Sequence, residues 1–261
     1  MKAVIQMILA AVLIAVLPLA GCSPAGPTGI IIEEKDFTDF TRVRVEGTFT
    51  IEIARSDTFS TTISADSSFF DYVAVDKEGD TLRIYLNPHH TFTDFTLQAR
   101  TLKAKITMPV LRELQLAGAS KGTISGFNST EDLKLNISGA SNLNTKDIEA
   151  DGAELEISGA SEINGNLNAG DTRLTVSGAS KVTIKGAASN IIVDASGASK
   201  IDMAGFPVQN ADVTLSGASE ATLNIKGELD TVLRDASRLY FLGNPTMGNI
   251  SISGASTIKH K

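Results

Sequence analysis

Eight serines at a near-constant period are the first residues that could do chemistry. Gly-Ala-Ser begins at Gly118, Gly139, Gly159, Gly178, Gly197, Gly217 and Gly254, and an eighth copy reads Asp235-Ala236-Ser237. A serine can be a nucleophile, but catalysis needs one serine activated by a neighbouring base, not eight equivalent ones. A corner explains the triplet better. Glycine takes positive φ at no cost, alanine is small enough to stack, and the serine hydroxyl can bond local backbone. The other candidates are few. His89 and His90 are adjacent, yet no cysteine or third histidine stands near them, so metal binding is not expected. Asp171, Asp194, Asp212 and Asp230 are the carboxylates a polysaccharide-cleaving site would need, and they do not share one register. No catalytic, cofactor or metal residue is assigned. One thiol remains, Cys22, at the end of an apolar stretch.

The flanks of each triplet say what positions these residues. Going backward from each glycine, every second residue is apolar: Leu133, Leu135 and Ile137, then Leu155 and Ile157, then Leu174 and Val176. The residues between are polar, a period of two that marks a half-buried strand. After the triplet the alternation returns, as in Val182 and Ile184 or Leu239 and Phe241. A second glycine often follows eight positions after the first, at Gly126, Gly186, Gly205 and Gly243, and reads as a second corner. Each unit is therefore strand, tight corner, strand, looser corner. One unit cannot bury its apolar face, whereas stacked units bury a continuous core and pair their backbones with the rungs above and below. The expected fold is an all-β parallel β-helix of about eight rungs of 18–21 residues over residues 111–261. At about 4.8 Å per rung it would be roughly 38 Å long. A leucine-rich repeat would need an Asn/Cys ladder that is missing. Leu135, Leu155, Leu174, Val193, Val213 and Ile250 are expected to form an inward column. The residues after the serines should stack outside, among them Lys121, Glu162, Lys181, Lys200, Glu220 and Arg238. The opposite-sign neighbours Glu162/Lys181, Lys200/Glu220 and Glu220/Arg238 are each worth at most about 1 kcal/mol.

Residues 37–110 lack the triplet but alternate in the same way, with a turn at Glu78-Gly79-Asp80, and should form a β-rich N-terminal region or cap. The chain carries 23 basic and 30 acidic side chains, a net of −7; Lys2 is the only charge before Cys22, so loss of residues 1–21 leaves −8. That balance argues against nucleic acid, or an anionic lipid surface, as the main partner. Tryptophan is absent, and no second cysteine exists for a disulfide.

The leader has a specific form. Met1-Lys2 is a minimal basic start, Ala3 to Ala20 is apolar apart from Gln6, and small residues follow. Leu19-Ala20-Gly21-Cys22 resembles the bacterial lipobox. That resemblance implies that residues 1–21 are a signal peptide, that Cys22 is lipidated, and that residues 22–36 form a tether to a membrane. Two or more acyl chains anchor stably where one does not. Ser23 stands where an inner-membrane retention signal would place Asp, which favours the outer membrane or cell surface.

Further residues carry a resemblance to a family. The opening Phe40-Thr41-Arg42-Val43-Arg44-Val45-Glu46-Gly47-Thr48-Phe49-Thr50-Ile51-Glu52-Ile53, the junction Ile106-Thr107-Met108-Pro109-Val110-Leu111-Arg112-Glu113-Leu114 and the Gly-Ala-Ser rungs together resemble the head GIN domain of autotransporter-adhesin-like proteins. The resemblance spans about residues 37–258 and implies a right-handed parallel β-helix in the envelope or on the surface, with no catalytic residues. Three functional classes follow: a non-enzymatic module that binds a glycan or protein, a β-helix enzyme acting on polysaccharide, and an accessory to envelope assembly or stress.

Overall fold

The computed structural model describes residues 29–87 and 101–261. Cys22, His89 and His90 lie outside the described residues. Two sheets face each other across one core. In chain order the first strands are β1 (Ile30–Lys35), β2 (Arg42–Gly47), β3 (Thr50–Arg55), β4 (Ser60–Asp66), β5 (Val73–Glu78), β6 (Thr81–Leu86) and β7 (Leu102–Met108). Sixteen more follow as eight pairs, each joined by a Gly-Ala-Ser or Asp-Ala-Ser corner. They are β8 (Glu113–Gly118) with β9 (Lys121–Ser125), β10 (Leu133–Ile137) with β11 (Asn142–Lys146), β12 (Ala153–Ile157) with β13 (Glu162–Asn168), and β14 (Thr172–Val176) with β15 (Lys181–Ala187). The stack continues with β16 (Asn190–Ala195) and β17 (Lys200–Val208), β18 (Asn210–Leu215) and β19 (Glu220–Ile225), β20 (Glu228–Leu233) and β21 (Arg238–Leu242), and β22 (Thr246–Ile252) and β23 (Thr257–His260).

Even-numbered members of this series pair in parallel in one sheet, and odd-numbered members in the other, so the chain coils as a parallel β-solenoid. The alternation read from the sequence sets the register. Leu114, Leu135, Leu155, Leu174, Val193 and Val213 are aligned partners on successive strands and are almost completely buried. Thr231 takes the next place in that column; its hydroxyl donates to Val213 O at 3.0 Å, which satisfies it in the apolar interior. Ile250 is in register above Thr231, but it belongs to the last rung and is 42% exposed. The expectation that it is buried is corrected: no described strand stacks beyond β22.

The N-terminal strands are woven into the same stack. β2 pairs in parallel with both β6 and β8, and β3 with both β7 and β9. The β2–β3 rung thus lies between β6–β7 and β8–β9, although β6 and β7 follow it in sequence. β4 and β1 add antiparallel strands beyond β7, and β5 adds one beyond β6 through the turn at Gly79, where φ is +60°. These antiparallel strands close one end of the rod, and one apolar cluster runs from Phe40 to Phe241.

The corners explain the triplet. All seven corner glycines have φ between +68° and +86°, and Asp235 has φ +65°, as the glycine-corner argument requires. Every corner glycine carbonyl except that of Gly254, on the last rung, accepts the alanine N–H of the next rung, for example Ala179 N–H to Gly159 O at 2.8 Å. A Cβ on Gly178 would sit within 3.0 Å of Gly159 N and closer still to its carbonyl oxygen. Gly47 aligns with Gly118 and continues the corner column into a rung that has no Gly-Ala-Ser. Of the glycines read as second corners, Gly126, Gly186 and Gly243 have positive φ. Gly205 does not. It lies inside β17, where a register shift between Met203 and Pro207 absorbs the extra residues and buries Phe206.

Candidate functional site

Seven of the eight triplet serines are interior residues; Ser256, on the last rung, is half-buried. Ser120, Ser141, Ser161, Ser180, Ser199, Ser219 and Ser237 are at most 2% exposed. Ser180, Ser199 and Ser219 each donate to the backbone oxygen three residues earlier, at 2.6–2.8 Å. Gly118-Ala119-Ser120-Lys121-Gly122 has the letters of a nucleophile elbow, but its serine is fully buried and bonds Gly47 O and Ala117 O. That environment holds a hydroxyl in place and offers it no base.

What can meet a ligand is the outside of the two sheets. On the even-numbered sheet, Arg42, Glu113, Lys134, Glu154, Arg173 and Ile192 stand one above the next. The first five alternate in sign. Lys134 reaches Glu154 at 3.0 Å and Glu156 at 3.4 Å, and Arg173 reaches Asp194 at 2.9 Å. The bond to Glu154 holds the Lys134 ammonium above its usual pKa, with Glu156 adding to it. Beside this column runs an open groove of about 530 Å³, bordered by Arg42, Arg112, Lys134, Arg173, Asp132 and Asp171. Gly152 leaves space in the wall, since a Cβ there would meet Asp132 Oδ1 at 2.7 Å. The sequence reading missed this ladder, yet its signal is simple: each member lies five residues before a corner glycine, counting Gly47 as one. The same column continues to Asp212 and Asp230, which are register partners. The four aspartates do not share one register, as expected from the sequence; Asp212 and Asp230 align because the shortened repeat before Asp235 still places Asp230 five residues from its corner. Asp171 and Asp194 stand elsewhere.

The odd-numbered sheet carries the column after the serines in the expected order. Glu162 accepts from Lys181 at 2.8 Å and Lys200 approaches Glu220 at 4.0 Å. Glu220 and Arg238 are aligned partners, without an ion pair among the described residues. The hydrogen bond from Lys181, helped by Asn164, lowers the Glu162 carboxyl below its ordinary 4.5. A lowered folded-state value contributes stability above the unfolded pKa and loses it as pH falls through the folded one. Glu162→Gln is therefore expected to cost a few tenths of a kcal/mol in urea unfolding at pH 7, since the pair is largely exposed, and nothing well below 4.5. A cost that persisted in acid would show that Glu162 acts by packing.

From β7 to β15 this face is basic. Lys103, Lys105, Lys121, Lys146, Lys181 and Lys185 project from it against only Glu52 and Glu162. Two depressions of about 320 Å³ each lie along it. Among the described residues no group of three or more His, Cys, Asp or Glu side chains could hold a metal ion.

Solved structures share the architecture. An adhesin structure from Parabacteroides distasonis, described as putative, superposes with a TM-score of 0.79 at 17% identity, covering 90% of this chain and 98% of its own. One from Parabacteroides merdae, described in the same words, gives 0.70 at 17% identity, over 89% and 96%. A second Parabacteroides distasonis structure, described as a putative lipid binding protein, gives 0.69 at 16% identity, over 89% and 96%. At these identities the likeness establishes the fold. No curated protein matches the sequence. The family profile described as "Putative auto-transporter adhesin, head GIN domain" matches residues 39–245, and the chain belongs to that family.

Proposed function

We propose that this protein is a lipid-anchored, non-enzymatic rod that presents its flat sheet faces for binding at the cell envelope. The observation that carries this reading is the set of exposed polar columns, held in register at strand spacing on a stack whose interior is fully packed. A ladder of this kind offers repeated, preorganised contacts to an extended ligand at little entropic cost. The shifted groups point the same way. Lys134 is held charged and Glu162 is held ionised, whereas a proton-transfer residue is tuned toward neutrality. Membership of a family described as adhesin supports a surface or envelope location.

Topology supports an orientation. β1 lies at one edge of its sheet and β23 at the other, so a lipid on Cys22 would hold the rod by its β1 end. Twelve strands at about 4.8 Å then carry the far edge roughly 50 Å away along the stack. Labelled palmitate and membrane fractionation test the anchor. The wild-type chain should be labelled and sediment with membranes, while Cys22→Ser should be unlabelled and uncleaved. Label on the variant would remove the anchor from the proposal. An array of glycans and envelope proteins, probed with the full chain in detergent, tests the binding half; no retained ligand on any spot would overturn it.

A further inference from the structure

We infer that the basic face of the odd-numbered sheet is a binding groove for a linear acidic polysaccharide, one bearing uronate carboxylates. This deepens the binding role proposed above and rests on it. The groove is a feature of the stack. Thr107, Ala54, Ser125 and Lys146 form one outward column across β7, β3, β9 and β11, and Asn166 and Lys185 are partners on β13 and β15, one residue past the last β11–β13 pair, Thr145 and Gly165. The column's small members, Ala54 and Ser125, both sit at the first depression, and Gly165, in register with the buried Thr145 and Ile184, leaves room at the second. Lys105 and Lys146 border the first depression and Lys185 the second. From β7 to β15 is five strand steps, about 24 Å. The three ammonium groups are therefore distributed along a line, not gathered at a point.

The charges are available. Among the described residues no carboxylate lies within 4.0 Å of Lys105, Lys146 or Lys185, whereas Lys134 and Lys181 are both engaged. Among the described residues Glu52 is the single acid bordering the two depressions. The stem of Lys185 runs beside Gly205, where an added Cβ would lie 3.1 Å from its Cγ. Thr123, Asn164 and Thr183 stand between the lysines and supply hydroxyl and amide groups. On a chain of net charge −7 this local excess of cations is the exception.

Three polyanions could answer to such a groove, and the surroundings choose among them. A nucleic acid strand wants aromatic platforms, and none of the outward residues from β7 to β15 is aromatic. A bilayer wants apolar side chains among the cations, yet among the described residues no large apolar side chain is exposed between β7 and β15; Ile30 and Ile32 stand on the same outer face but on β1, two strands beyond β7. A chain of uronates needs spaced cations and many hydroxyl and amide partners in a groove one polymer wide, and those are the groups present.

The test uses the full chain in detergent, with polygalacturonate as probe and neutral dextran as its uncharged counterpart. Polygalacturonate should bind and dextran should not, and binding should weaken as salt is raised. Replacing Lys105, Lys146 and Lys185 together by Gln should weaken binding about tenfold, since each exposed ion contact is worth a few tenths of a kcal/mol to about 1 kcal/mol. Replacing Lys35, Lys77 and Lys226 by Gln removes the same charge elsewhere and should change it less than about twofold. Matching urea midpoints for both triple variants would show that folding is intact. Failure to bind polygalacturonate, equal loss in both triple variants, or a preference for phosphatidylglycerol vesicles or single-stranded DNA would each overturn the inference. A different ligand retained on the array would leave the broader binding role standing.

Discussion

Gly178→Val is expected to lower the stability of the rod by about 3 kcal/mol or more, a large share of the 5–15 kcal/mol typical of a folded domain. Two costs add. A side chain held at φ +75° costs roughly 1–2 kcal/mol, and more when β-branched. The new Cβ would also be driven into Gly159 O, which already accepts the Ala179 N–H, so the rungs must separate, and overpacking of that kind costs about 1–3 kcal/mol. Urea unfolding followed by circular dichroism measures the sum. Asp235→Gly is the internal control. It relieves comparable backbone strain, but it removes the bond from Gly217 N–H to Asp235 Oδ2 at 2.9 Å and frees the unfolded chain. Those terms nearly cancel, so its midpoint should move by less than about 1 kcal/mol. A Gly178→Val midpoint equal to the wild type would show that the glycines are there for some reason other than φ and clearance.

The corner glycines and inward columns could be read from residue type alone because each is a local demand. Positive φ selects glycine at one position, and burial selects an apolar residue at every second one. The weave of β2–β3 between β6–β7 and β8–β9 was not legible, because nothing in Arg42–Arg55 states which rung it will lie beside. Pairing of strands distant in sequence is settled by the whole stack. Gly205 misled because glycine in a strand and glycine in a corner look alike until register is known. The charge ladder through Arg42, Glu113, Lys134, Glu154 and Arg173 was fully encoded at a constant offset from the corner glycines. Its members lie on the strand before each corner, away from the serines, so the triplet itself does not mark them. The basic groove needed the pairings themselves: Lys105 comes from a strand with no triplet, and only β7 pairing with β3 brings it to the face.

The solenoid reading makes its strongest demand on deletions. Excising residues 178–196, one whole nineteen-residue rung, should leave a protein that still unfolds cooperatively. Ser177 would then lead into the Gly197-Ala198-Ser199 corner, β17 would pair with β13, and β18 with β14. The new neighbours fit. Leu174 would meet Val213 and Val176 would meet Leu215 in the core, while Arg173 would face Asp212 and Glu162 would face Lys200 outside. In a stack where each rung contacts only its neighbours, the loss is roughly one rung's own contribution. Excising residues 178–187 alone should be far worse. That cut removes the corner and β15 but keeps β16, so β14 would run directly into another strand of its own sheet. Every later strand would have to change sheets or leave the stack, with its apolar face turned to water. The whole-rung variant is expected to show a single urea transition within a few kcal/mol of the wild type, and the half-rung variant none. If both deletions unfold alike, the rungs do not act as interchangeable units, and the repeat would not be what sets the fold.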